Sequence, residues 1–134
     1  MGERMSLFTL VHGGMSAQMV RMNAAASNLA NAGAVANSED AAYRPLRPVF
    51  GQELDRASGL ASVRVHGVFR SDAAPVKRHD PAHPLADANG DVWAASVDET
   101  AEMVEIMEAS RQYRNLVEAM QTAKQLMLET MRTR

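Results

Sequence analysis

The 134-residue chain contains no cysteine, which excludes disulfides, thiol nucleophiles and thiolate-bound zinc but leaves the compartment open. Aromatic residues are scarce too, with one Trp, two Tyr and three Phe, thin material for a conventional core in a chain sized for one domain. Charge of one sign is not in surplus: 14 Lys and Arg against 16 Asp and Glu give a net charge of −2. Nothing is therefore available to neutralise a run of phosphates, and no nucleic acid is expected as a partner. No stretch approaches the ~18 consecutive apolar residues of a membrane span. Met1 to Val11 carries one Arg and a short apolar patch, Leu7 to Val11, with no small-residue cleavage site behind it, so no Sec-type signal peptide is expected. Met5-Ser6 also reads as a start, which leaves the choice between Met1 and Met5 open.

What the chain has instead is methionine, ten of them, and two apolar stripes. Phe8, Met15, Met22 and Leu29 recur at heptad spacing near one end, and Ile106, Tyr113, Met120 and Met127 do so near the other, with Leu116 beside them. Heptad spacing places each set along one seam of a helix. Methionine is unbranched and adaptable, so such seams suit repeated contacts better than a rigid core. Seam burial of roughly 1.5 to 3 kcal/mol per side chain falls short of a backbone ordering cost of about 1 to 2 kcal/mol per helical residue. An isolated hairpin of the two helices would be marginal, and lateral neighbours would stabilise it.

Ser6 is positioned to cap a helix running to about Ala32, with Gly33 as its stop. Gly13-Gly14 weakens that helix by roughly 1 kcal/mol per glycine, which close approach of a neighbour would justify. Tyr43 to Phe50 holds Pro45 and Pro48 and reads as an extended arm. Val63 to Phe69 alternates as a strand does, with Val49 to Leu54 and Val76 to Arg78 as its expected partners. Asp80-Pro81, His83-Pro84 and Asn89-Gly90 read as turns, the last leading into Val92-Trp93-Ala94, with Trp93 expected in the core of a small module. The final helix is expected from near Val97, with Asp98, Glu99, Glu102 and Glu105 complementing its N-terminal dipole and Arg132 and Arg134 its other end. The expected fold is mainly α: long N- and C-terminal helices paired as a coiled-coil-like hairpin, with a small β-rich, extended middle module. The divisions are an N-terminal helix at 6–32, a linker and module at 33–96, and a C-terminal helix at 97–134.

Catalytic apparatus is not visible. His79, Asp80, His83, Asp87 and Asp91 cluster in sequence, but Pro81 and Pro84 prevent the shared helical face that His79 and His83 would need to ligate together. Gly90 also comes too early for a calcium loop of the EF-hand type, so these residues read as turn formers and no metal site is expected. His12-Gly13-Gly14 has no G-x-S-x-G elbow to serve, and no phosphate-binding glycine loop occurs. No enzyme and no cofactor are expected. Asn23, Asn28 and Asn31 are poor helix formers that either face water or fix register between subunits. From the residues alone the stripes favour an assembling subunit, and a soluble helical-hairpin adaptor or export chaperone is the alternative that would also keep them.

Ala26-Ser27-Asn28-Leu29-Ala30-Asn31-Ala32 resembles the N-terminal signature of bacterial flagellar rod, hook and hook-filament proteins. YRPLRPVFGQEL from Tyr43, DPAHPLADANGDV from Asp80 and EMVEIMEASRQYRNLVEAMQTAKQLML within Val97 to Leu128 resemble, more narrowly, the proximal rod protein family of the basal body. The sequence departs from that family at Gly13-Gly14, at the alanine-rich link Gly33 to Ala36 and along Asp91 to Val97. The resemblance implies a structural subunit of the axial rod in the periplasmic space, exported without a cleaved signal peptide by the flagellar type III apparatus. It implies as partners further copies of itself, the other rod proteins, the rod-base adaptor at the export gate, and peptidoglycan. It also implies terminal helices forming the inner layer around the export channel. The assembly residues expected are Phe8, Met15, Met22, Asn28, Leu29, Asn31, Ile106, Tyr113, Leu116, Met120 and Met127.

Overall fold

The computed structural model describes residues 6–133; the start-site question at Met1 to Met5 lies outside them. Helix α1 (Leu7–Ala30) begins where Ser6 accepts a hydrogen bond from the Thr9 N–H at 3.1 Å, and Asn31 closes it, two residues short of the expected Ala32. Helix α2 (Glu99–Arg132) is capped by Asp98, which accepts from the Ala101 N–H at 3.2 Å, and Glu99 and Glu102 lie in its first turn. Between them run β1 (Val35–Ala36), β2 (Leu46–Asp55), β3 (Leu60–Arg70), β4 (Val76–His79) and β5 (Asp91–Ala94).

The strands form two antiparallel sheets, a β2–β3 hairpin and a three-stranded sheet ordered β1-β5-β4. Pairing of β2 with β3 runs from Leu46↔Arg70 to Asp55↔Leu60 and slips by one residue between Val49 and Phe50, where His66 is the extra residue. Pro45 and Pro48 do not keep this segment unpaired. Pro48 sits within β2, whose outer edge has no strand beside it among the described residues, a position where a missing N–H costs little. The expected pairing of Val76 to Arg78 with β3 is replaced by pairing with β5, and residues 80–90 connect those two strands. That connection closes through Gly90 at φ +80°, a left-handed conformation an L side chain rarely takes.

Five strands in two sheets make the fold mixed α/β, and the expectation of a mainly α helical hairpin is overturned. The physical reason lies in α1, which divides its surface between α2 and the β2–β3 hairpin. Arg21 and Gly14 of α1 meet Glu105 and Leu116 of α2, so the helices run antiparallel. Val11, Ala17, Ala24 and Ala25 on α1 and Ala109 on α2 are buried, and the helices come close where Gly14 faces Leu116. These mostly small buried residues are not those of the heptad stripes. The three-stranded sheet has its own small core, with Val92 fully buried and Ala95 nearly so; Trp93 is half-buried, with the Lys77 ammonium 5.8 Å from its ring centre.

Candidate assembly interface

The stripe residues lie where a neighbour can reach them. Phe8, Met15, Met22, Leu29, Ile106, Tyr113, Leu116 and Met120 are all half-buried, and Met127 is 47 % exposed. Leu116 comes close to α1 at Gly14, where a Cβ would lie 3.1 Å from its Cδ1. The close approach at Gly14 gives that glycine a packing reason, whereas Gly13 backs onto the Val63 carbonyl with room to spare.

Heptad counting missed a second apolar strip. Met103, Val104 and Met107 on α2 are 53, 55 and 68 % exposed, and Val104 and Met107 border a surface hollow shared with Ile106, Arg111 and Arg114. Their 1,4 spacing on a helix was the available signal. At the other end of α2, Leu126, Met127, Leu128 and Met131 are also exposed. With Gly14 opposite Leu116, the start of α1 falls near Ala123, so about the last nine residues of α2 extend past it, roughly 14 Å.

The asparagines behave differently. Asn28 is completely buried, and its Oδ1 accepts from the Leu46 N–H at 2.7 Å and from the Tyr43 hydroxyl at 2.8 Å. Its Nδ2 donates to the Leu46 carbonyl at 3.0 Å. The amide therefore pins the entry of β2 to α1 within the subunit. Asn31 donates to the Ser27 carbonyl at 2.8 Å as part of the helix end.

Two ion pairs bind the helices and hairpin together. Arg21 donates to Glu105 at 2.7 Å between α1 and α2, and that hydrogen bond holds the guanidinium pKa above its ordinary value against the opposing effect of burial. Arg47 of β2 donates at 2.7 Å to Glu102, whose side chain is only 3 % exposed. Together with Asn28, these pairs hold the base of the hairpin against both helices.

The His/Asp cluster is structural in its geometry. Asp91 places its carboxylate 3.0 Å from His79 Nδ1 and 3.3 Å from Lys77 Nζ, while Asp87 accepts from the N–H groups of Asn89 and Asp91. His83 Nδ1 accepts from the Leu85 N–H. The His79 hydrogen bond, then Lys77, holds the Asp91 carboxyl below its usual pKa despite desolvation. Among the described residues no three His, Asp or Glu side chains converge as a metal site, and no helix is long and apolar enough to cross a membrane.

Two long terminal helices that leave large apolar side chains uncovered, around a small β region, define a subunit built for assembly. Residues 88–133 match the model of the flagellar basal body rod FlgEFG protein C-terminal region. The whole chain is similar to the flagellar basal-body rod protein FlgC of Salmonella typhimurium, at 40 % identity over 95 % of both chains. Similarity to FlgC of Escherichia coli O6:H1 is 38 % over the same share of both chains, and to FlgC of Agrobacterium fabrum 34 % over 87 % of this chain and 85 % of the relative. The chain belongs to the FlgC family of flagellar basal-body rod proteins. It is a structural subunit of that rod, in the periplasmic space, which sets aside the soluble adaptor or chaperone.

Proposed function

We propose that this rod subunit polymerises through its terminal helices, with 6–32 and 97–134 forming the inner layer of the drive shaft and the wall of the export channel, and 33–96 lying outside. The observation that carries the reading is the mismatch between buried positions and stripes. Ala17, Ala24, Ala25 and Ala109 are buried, and Phe8, Met15, Met22, Leu29, Ile106, Tyr113, Met120 and Met127 keep exposed apolar surface that a solitary chain has no use for. Its partners in this reading are further copies of itself, the other rod proteins, the adaptor at the export gate and the peptidoglycan it passes. It carries no reaction and holds no cofactor, and it leaves the cytoplasm by the flagellar type III route without cleavage.

The test is substitution of stripe residues with aspartate, read as motility and as copurification with detergent-extracted basal bodies. A side chain worth ~1.5 to 3 kcal/mol on burial corresponds to about a ten- to hundredfold loss in association for Leu29→Asp or Met120→Asp. Met127→Asp alters an exposed position and separates assembly from folding, which circular dichroism monitors. Intact rods in all three variants would sink the proposal.

A further inference from the structure

The three-stranded sheet ends in two free edges of opposite character. β1 and β4 are both antiparallel to β5, so they run parallel to each other, and among the described residues no strand pairs with the outer side of either. All four residues of β4 are exposed, Val76 at 55 %, and the strand contains no proline or bulge to blunt it. An uncovered edge is a template for another strand unless charge protects it. Here the charge is basic, Lys77 and Arg78. The β1 edge leads, through Asn37 and Ser38, into Glu39 and Asp40, both exposed. Lys77 is already drawn to Asp91, but among the described residues the side chains of Arg78, Glu39 and Asp40 have no partner.

These charges discriminate between ways of joining two copies. β4 against β4 sets Lys77 and Arg78 against their own images, and β1 against β1 does the same with Glu39 and Asp40; both symmetric pairings are opposed by like charge. β4 against β1 matches basic with acidic. That contact uses different surfaces on the two copies, so it propagates instead of closing into a dimer.

We propose that the β4 edge of one subunit receives the β1 edge of a second copy as its next strand, with Lys77 and Arg78 meeting the Glu39-Asp40 turn of that copy. The contact rests on the rod reading above and gives the middle region a share in assembly: β1 is too short to hold copies together alone, and the charge match selects register and direction while the helices supply affinity.

The absence of cysteine makes the test direct. Two singly substituted chains, Asn37→Cys and Val76→Cys, are expressed together, and basal bodies are isolated and treated with a short bismaleimide. Unlike pairs should dominate over like pairs. Arg78→Glu in the Val76→Cys chain should lower the unlike product by at least about tenfold, and Glu39→Arg with Asp40→Arg in the other chain should restore it. Rods that form yet give equal like and unlike products, or that ignore the reversal, overturn the edge contact while leaving helix-driven assembly standing. Absence of the chain from basal bodies overturns both.

Discussion

Asparagine in a helix interior is a weak choice unless its side chain has work to do, and Asn28 has three hydrogen bonds at zero exposure. Its replacement by alanine leaves the Leu46 N–H without its partner, the Leu46 carbonyl with only a 3.5 Å contact from Arg47, and the Tyr43 hydroxyl with Ser27 alone. Asn28→Ala should cost about 2 to 4 kcal/mol in thermal or urea unfolding, at ~1 to 3 kcal/mol per group left unmet. Asp91 sets a pH dependence at the same scale. Its folded pKa is depressed, so its contribution is complete above the ordinary carboxylate value near ~4 and is lost as pH falls through the lower folded value. The unfolding midpoint of the native chain should drop in that acid window, and Asp91→Asn should flatten this part of the profile. Neither role was legible in sequence: Asn28 showed only as an odd residue in a helix, and Asp91 as one of several turn-forming acids.

Adjacent glycines separate two effects within one element. At Gly13 a Cβ would lie 3.7 Å from the Val63 carbonyl oxygen, an ordinary contact, and at Gly14 it would lie 3.1 Å from Leu116 Cδ1. Gly13→Ala should therefore stabilise the chain by about 0.5 to 1 kcal/mol through helix propensity. Gly14→Ala spends a similar gain on crowding Leu116 and should come out near neutral, while Gly14→Leu should destabilise clearly; unfolding curves of the three variants check this. The cap of α1 was visible as Ser6 because capping is local chemistry, whereas Asp98 was visible only as one of several acids near the start of α2. The strand partners were not. Val76 to Arg78 reads as a partner of β3, yet it pairs with β5, to which residues 80–90 connect it.

At the scale of the whole molecule, the two helices are unequal, 24 and 34 residues, and the longer one presents apolar side chains at both ends of its exposed surface. An assembly in which helices supply affinity and sheet edges supply direction would account for both the uncovered methionines and the opposite charges of β1 and β4. The aspartate substitutions on the stripes belong to this scale, because their expected effect is on association and not on the folded subunit. The composition had pointed the same way: few aromatics and many methionines are poor means of building a private core and serviceable means of building a shared one.

The amino-acid sequence by itself determined the two helices, the cap of α1, the absence of thiol chemistry, and, through four separate segments, the kinship with flagellar rod proteins, since each depends on local pattern. Tertiary structure decided which faces those helices use. Heptad counting marks large apolar side chains as seam, but Gly14 is where α1 comes close to Leu116, the buried positions are Ala17, Ala24 and Ala109, and the β2–β3 hairpin claims another part of α1. The stripes are left over by that choice, and what they meet is set by contacts between chains.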